Sequence, residues 1–173
     1  MADTWRSVAL GVAFASGKSM LDIFQAGAGT RVHRVRRAYQ FNNQTAAVTG
    51  VLTTMRCVRI TAASVGTSIT PVAHDTNNAA LPADLTSGTG RTVTETDIFR
   101  QYLWSNDEAA VSGSSMDEWE LMVPFAEVWN AGYGDAAVQP LVCRPGQGFH
   151  LKHQGTSGVG TCDLEIEFTN EAT

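Results

Sequence analysis

The sequence has few of the features that mark membrane, secreted or redox proteins. It has no apolar run near the roughly 18 residues needed to cross a bilayer, and only 17% of its residues are charged. Its three cysteines, Cys57, Cys143 and Cys162, stand alone in separate segments. An odd number without CxxC spacing argues against a disulfide framework and a zinc knuckle. We therefore expect three small buried hydrophobic residues in a chain made in a reducing compartment.

Motifs for nucleotide binding or nucleophilic catalysis are also missing. The stretch GVAFASGKSML (residues 11–21) resembles a phosphate-binding loop, but that loop needs four residues between its glycines. Here Gly11 and Gly17 are separated by five. Such a loop also has to lead into a helix, and Gly27-Ala28-Gly29 interrupts the chain too soon. We interpret Gly17-Lys18-Ser19 as a hairpin turn between the first two strands.

What the sequence does contain is a series of short β-type runs separated by Gly, Pro, Asn and Asp clusters. The 173 residues fit one domain, residues 1–173, that is large enough to bury a core. Helical periodicity is weak throughout, whereas alternation of apolar and polar residues recurs. About eight strands are predicted, near residues 4–15, 19–25, 30–41, 50–62, 91–104, 118–129, 138–143 with 148–153, and 160–169.

These runs predict an all-β fold, an antiparallel β-sandwich that is jelly-roll-like and has long loops. The stretch TCDLEIEF near the end of the chain alternates strictly, which is typical of a sheet with one wet face. Residues 50–62 are apolar on both parities at their start, which favours an interior strand. Pro124 predicts an edge strand or a bulge for residues 118–129.

Two further neighbour relations are predicted. Residues 30–41 and 50–62 are expected to be adjacent strands joined through residues 42–50. Pro145-Gly146 is expected to turn the chain back from one strand into the next.

Residues 62–90 are predicted to form a long irregular stretch, which is unusual in a compact domain unless it is functional or clasps a neighbour.

Few side chains suggest a reaction. Glu165 and Glu167 share one strand face about 7 Å apart, a separation within the range of glycosidase carboxyl pairs, but alternating acids on a terminal strand are usually its solvent face. His150 and His153 fall on opposite faces, so they are poor shared metal ligands. His74 could hydrogen-bond Asp75 within its loop. We expect no enzyme activity, no metal and no cofactor.

Charge is distributed unevenly along the chain. Residues 1–60 hold eight Lys or Arg against two Asp, a net of +6, whereas the remainder holds four against fifteen acids, a net of −11. The densest basic cluster is Arg31, Arg34, Arg36 and Arg37, in which alternation would put Arg34 and Arg36 on one face and Arg31 and Arg37 on the other. Because the whole chain is acidic, salt bridging to protein carboxylates is favoured over nucleic-acid contact.

Two stretches resemble a known family. GTSITPVAHDTNNAA (residues 66–80) and LVCRPGQGFHLKHQG with GTCDLEIEFTNE (residues 141–155 and 160–171) are similar to small virion proteins of tailed bacteriophages, the capsid decoration or cement proteins with jelly-roll or β-sandwich folds. The order is also similar: a basic N-terminal strand, a Thr-Pro-x-x-His-Asp loop, an Arg-Pro-Gly hairpin and a closing acidic-apolar strand.

The resemblance implies a structural role on the virion. Copies, commonly homotrimers, would sit on the capsid surface and bridge neighbouring subunits of the major capsid protein, with no nucleic-acid or membrane partner. The expected contacts are Arg31, Arg34, Arg36, Arg37, His74 and Asp75.

An alternative function remains open at this point. The four tryptophans, Trp5, Trp104, Trp119 and Trp129, are compatible with a carbohydrate- or receptor-binding β-sandwich on a phage tail or head fibre, since aromatic faces stack on sugar rings. Core packing or burial in an interface is the more ordinary use of tryptophan.

Overall fold

The described part of the chain folds entirely into β-strands, turns and loops. The computed structural model describes residues 3–27, 30–43, 52–105, 125–132, 135, 137–155 and 160–172. The strands are β1 (Asp3–Ala13), β2 (Ser19–Gln25), β3 (Arg31–Asn42), β4 (Leu52–Ala63), β5 (Thr67–Ile69), β6 (Val72–Ala73), β7 (Leu85–Thr89), β8 (Val93–Ser105), β9 (Phe125–Asn130), β10 (Leu141–Cys143), β11 (Gln147–Gln154) and β12 (Thr161–Ala172).

The strands form two antiparallel sheets that pack face to face. Sheet A has the order β10-β3-β12-β1-β6, with β9 also pairing with β3, and sheet B has the order β5-β7-β2-β11-β4-β8. Apart from the short strands β5, β6 and β7, successive strands pass from one sheet to the other with two exceptions. Strand β8 pairs beside β4 within sheet B, and β9 and β10 both pair with β3 in sheet A. This winding is that of a jelly roll, and the predicted all-β sandwich is confirmed.

Three predicted neighbour relations are wrong, and for one reason. The turn at Gly17 joins β1 of sheet A to β2 of sheet B, and the turn at Pro145-Gly146 joins β10 of sheet A to β11 of sheet B. Strands β3 and β4 also lie in different sheets. Turn residues set the local chain direction, as the positive φ of Gly17 and Gly146 shows. They do not decide which strand becomes the hydrogen-bonded partner.

The stretch predicted to be irregular, residues 62–90, contains three short strands. Strand β5 adds to the edge of sheet B, and β6 adds to β1 at the edge of sheet A. The segment therefore crosses from one sheet to the other and is docked on its own sandwich. Short strands of two to five residues carry too little alternation to be recognised in a sequence.

The core lies between the inner faces of the two sheets. In β12, Leu164, Ile166 and Phe168 are fully buried while the acids between them face outward, as predicted. In β4 the adjacent residues Cys57 and Val58 are both fully buried, which confirms an interior strand covered on both faces. Strand β9 pairs only with β3 among the described strands, an edge position as predicted, although Pro124 itself lies outside the described residues.

Candidate functional site

The outer face of sheet A carries a set of cross-strand ion pairs, which we call the charged face. Its members lie on β1, β3, β9 and β12 and are Arg6, Arg34, Arg37, Glu127, Glu165, Glu167 and Glu171. Neighbouring strands bring opposite charges together because the register sets Arg6, Glu167 and Arg37 side by side. The basic first third of the chain and its acidic remainder thus neutralise each other within one molecule.

Two of the predicted interface arginines belong to this face. Arg34 Nε lies 2.9 Å from Glu171 Oε2, and Arg37 Nε lies 3.9 Å from Glu127 Oε2. All these side chains are partly exposed, so each pair contributes at most about 1 kcal/mol. Their effect is to hold long side chains in fixed positions on a flat surface.

The predicted alternation of the arginine cluster is wrong because β3 contains a bulge. Arg37 pairs with Glu167 and Val35 pairs with the next residue of β12, so Arg36 is an extra residue in the strand. Arg34 and Arg37 therefore share the outer face, where alternation had separated them. Arg36 is exposed at the bulge, and its carbonyl accepts a hydrogen bond from the Ala131 N–H at 2.9 Å.

Arg31 lies apart from the ion pairs at the start of β3. Its Nη1 donates to Asn170 Oδ1 at 3.2 Å. The structure thus keeps the four predicted arginines on one strand but gives them three different environments: an ion pair for Arg34 and Arg37, an amide for Arg31, and solvent for Arg36.

The loop that follows β6 docks His74 against the charged face. The backbone N–H of His74 donates to Thr4 O at 3.0 Å, and its ring Nε2 lies 3.9 Å from Glu167 Oε2. Asp75 does not hold the imidazole as expected; its carboxylate accepts from the Asn77 N–H at 2.9 Å and forms a turn. His74 therefore joins the charged face, whereas Asp75 shapes the loop.

Glu165 and Glu167, the carboxylates considered for glycoside cleavage, lie on one face as predicted, but both form an ion pair with Arg6. Arg6 Nη1 lies 3.2 Å from Glu165 Oε2, and Arg6 Nη2 lies 3.1 Å from Glu167 Oε2. In a glycosidase the two carboxyl groups flank the scissile bond, whereas here one guanidinium bridges the two carboxylates. This geometry fits a structural ion pair better than an acid–base pair.

Sheet B carries a second polar cluster, and this one is buried. Asp22, in the middle of the fully buried strand β2, is reached by Arg91, whose Nη1 lies 3.0 Å from Asp22 Oδ1. Burial raises the pKa of Asp22 to about 6, against the opposing effect of the Arg91 charge. The sequence signal for this pair is the single Asp within the otherwise uncharged run SMLDIFQ, because a buried carboxylate needs a partner.

His150 is the cross-strand neighbour of Asp22 and is fully buried. Neither of its ring nitrogens has a hydrogen-bond partner among the described residues, and Glu95 Oε1 lies 3.7 Å from Nε2. Burial, together with the charge of Lys152, lowers the pKa of His150 to about 3. Lys152 itself pairs with Glu95.

His33 occupies a comparable position on the inner side of sheet A. Its Nδ1 lies 3.3 Å from Gln25 Oε1 of sheet B, and its ring packs edge-on against Phe168. Burial, with a smaller effect of the Arg59 charge, lowers the pKa of His33 to about 3. His33 and His150 are both neutral at pH 7 and serve the packing of the sandwich.

The cysteines are free and buried, as expected from their spacing. Burial raises the pKa of each thiol to about 12, so none of them is a thiolate at neutral pH. Among the described residues, no group of three or more His, Cys, Asp or Glu side chains is arranged to hold a metal ion.

The described tryptophans belong to the packed part of the molecule. Trp104 is buried, and Trp129 is half-buried between Phe99 and Phe149 with ring centroids 5.6 and 6.1 Å away. Trp5 packs against the core from β1. Trp119 lies outside the described residues.

One open cleft lies where the edges of the two sheets approach each other, and we call it the basic cleft. It has a volume of about 490 Å³ and lies between β4 and β8 of sheet B and β9 and β10 of sheet A. The side chains that define it are Arg59, Phe99, Trp129, Leu141, Arg144 and Gln147. Sequence reasoning missed it, because its two arginines are 85 positions apart in the chain.

Comparison with known proteins adds no relative. No family model, curated protein or solved structure matches this chain. The part of the chain that the structure describes contains no helix with the length and apolar character needed to cross a membrane.

Proposed function

We propose that this chain is a structural protein of a phage virion that decorates the capsid and stabilises it by bridging neighbouring subunits of the major capsid protein. The resemblance of residues 66–80 and 141–171 to capsid decoration proteins supplies the class of function. The proposal includes self-association as a homotrimer, a location on the capsid surface and no enzymatic role.

The observation that carries the proposal is the charged face. Its ion pairs span β1, β3, β9 and β12 and fix side chains of both signs on an ordered surface. Binding costs less side-chain entropy when the contacting groups are already held in place. Exposed pairs of this kind set the register of a protein contact more than its strength, which suits a protein that occupies a repeated lattice position.

The state of the chemical groups supports the same conclusion. Glu165 and Glu167 share one arginine, the thiols are buried, and His33 and His150 are held neutral inside the fold. These carboxylate, thiol and imidazole groups therefore take part in holding the sandwich together.

The docked 62–90 segment gives the proposal a second surface. Asn78 Nδ2 donates to Thr4 O at 2.9 Å and Asp3 Oδ2 accepts from the Ala79 N–H at 3.2 Å, so the loop is tied to β1 and presents a fixed outer surface. Val65 and Val72 are exposed on this segment. We propose that it contacts the shell together with the charged face.

The experiment compares binding to assembled and unassembled coat protein. Purified chain is mixed with heads of its own phage that lack it, or with free coat subunits, and bound protein is measured by sedimentation. Light scattering coupled to size exclusion gives its oligomeric state. We expect a trimer that binds heads and has little affinity for free subunits. A monomer that ignores assembled heads would contradict the proposal.

A variant pair tests the charged face itself. Arg34→Glu and Arg37→Glu together place like charges beside Glu171 and Glu127 and should weaken binding to heads at least about tenfold. Lys18→Glu together with Arg100→Glu reverses two exposed charges elsewhere and serves as the control with the same change of net charge. Equal loss in both variants would assign the effect to net charge alone.

The sugar- or receptor-binding alternative receives less support. It requires tryptophans exposed in a flat or grooved patch, and the three described tryptophans are buried or half-buried against other side chains. Binding to a glycan array that is weakened by Trp129→Ala would favour this alternative over the capsid role.

A further inference from the structure

The basic cleft has a charge balance opposite to that of the whole chain. Two guanidinium groups line it, those of Arg59 and Arg144. Asp97 pairs with Arg59, so these three groups together carry a net charge of +1. The protein carries a net charge of −5. A positive cleft on an acidic protein attracts anionic groups selectively, because the surrounding surface repels them.

Arg59 is held in position by several contacts. Its Nη1 donates to Val142 O at 2.9 Å and to Gln147 Oε1 at 3.1 Å, and its guanidinium lies 5.2 Å from the centroid of the Phe99 ring. Asp97 contacts the Nε side at 3.3 Å from an exposed position on β8. A guanidinium fixed in this way binds an anion without first losing side-chain freedom.

Arg144 and Gln147 supply the remaining donors. The Arg144 side chain is exposed and makes no ion pair among the described residues. Gln147 Oε1 already accepts from Arg59 and from the Arg144 backbone N–H, so its amide NH₂ group is the part left to donate. Two arginines and an amide can thus surround one carboxylate.

The walls of the cleft favour an extended peptide as the bearer of that carboxylate. Strand β10 pairs only with β3 and strand β8 only with β4 among the described strands, so each has one edge without a neighbouring strand. On β10, the Val142 carbonyl already accepts from Arg59. Exposed strand edges bind extended peptides through main-chain hydrogen bonds, and pockets beside them take alternate side chains. Leu141 and Trp129 provide an apolar wall for the neighbouring residue.

We propose that the basic cleft binds an acidic, extended peptide segment of a partner protein, with a Glu or Asp carboxylate between Arg59 and Arg144 and an apolar side chain against Leu141 and Trp129. The two arginines of this cleft are not members of the charged face, and the inference stands whether or not the protein decorates a capsid.

The test uses a fluorescein-labelled peptide of alternating Glu and Val and a matched peptide with Gln in place of Glu, measured by fluorescence anisotropy. The acidic peptide should bind at least about tenfold more tightly, a difference of about 1.4 kcal/mol, and its affinity should fall with added salt. Equal binding of the two peptides, or binding of neither, would overturn the proposal.

Arg144→Gln is the informative variant because the side chain is exposed and its loss leaves the fold intact, which circular dichroism verifies. It should lower affinity for the acidic peptide about tenfold, whereas Arg36→Gln, at the bulge of β3, should leave affinity unchanged. Equal affinities of wild type and Arg144→Gln would contradict the inference.

Two further measurements separate the ligand classes and locate the site. Glucuronate oligomers that bind the protein while the acidic peptide does not would reassign the cleft to acidic sugars and overturn the peptide proposal. In NMR spectra, the acidic peptide should shift backbone amide signals of residues 139–147; shifts confined to the charged face would refute this location.

Discussion

Acidification to pH 5 should destabilise this protein strongly, because burial lowers the pKa of three histidines, to a large extent for His33 and His150 and in the same direction for His153. The pKa of His33 and of His150 is lowered from 6.5 to about 3 by burial. Below pH 6.5 the unfolded chain therefore binds protons that the folded chain does not, and stability falls as pH falls. At pH 5 each histidine costs about 2 kcal/mol relative to neutral pH, or about 4 kcal/mol for the pair.

Protonation of Asp22 has the opposite effect on stability, and its contribution is subtracted from the loss caused by the histidines. Its pKa is raised from 3.8 to about 6, so between these values the folded state holds a proton that the unfolded state lacks. This adds about 1 kcal/mol of stability at pH 5 relative to pH 7. The net loss is about 3 kcal/mol, a large part of the stability of a typical domain.

Urea unfolding followed by tryptophan fluorescence at pH 7 and pH 5 measures this loss. With a slope of about 1–3 kcal/mol per molar urea, the midpoint should fall by about 1–3 M. His33→Gln retains a polar group beside Gln25 and should remove about half of the histidine effect. A midpoint that is equal or higher at pH 5 would refute the reasoning.

Further expectations concern stability and thiol reactivity. Arg91→Met should destabilise the protein by about 3–5 kcal/mol in urea unfolding, because it leaves Asp22 buried without its ion-pair partner. Asp22→Asn in the same chain should recover most of that loss. No recovery would mean that Arg91 acts mainly through packing. Gly148→Ala places a Cβ against the Ile23 carbonyl oxygen and should cost at least about 1–3 kcal/mol. Gly155→Ala, where the nearest atom would lie 3.4 Å away, should change stability by less than about 0.5 kcal/mol. The three buried thiols should not react with Ellman's reagent in the folded protein and should all react in concentrated urea; rapid labelling of the native state would contradict their burial.

The sequence was most informative for strands whose residues alternate between the core and the solvent. The alternation in β12 predicted its wet and dry faces because every second residue meets the core. The apolar character of β4 predicted an interior strand for the same reason. Length, composition and strand spacing together were enough for the sandwich.

The arrangement of partners was beyond local reasoning. Whether a turn leads into the same sheet or into the opposite one depends on contacts with strands that are distant in sequence. The positions of the turns at Gly17 and Pro145-Gly146 were therefore predicted correctly, but the strands on either side of them do not pair with each other. The bulge at Arg36 is another case, because one added residue in β3 exchanges the faces of all residues beyond it. The basic cleft likewise joins Arg59 and Arg144 only after both sheets have formed.

The position of β12 has a consequence for how the chain reaches this state. It runs between β1 and β3, and the partner of Asp3 is Asn170, so the centre of sheet A is supplied by a strand that is synthesised long after both of its neighbours. Until that segment leaves the ribosome, β1 and β3 present unsatisfied edges that any extended polypeptide can occupy. The pairing in sheet A is therefore non-local in sequence, which predicts slower folding than that of a helical protein of equal size.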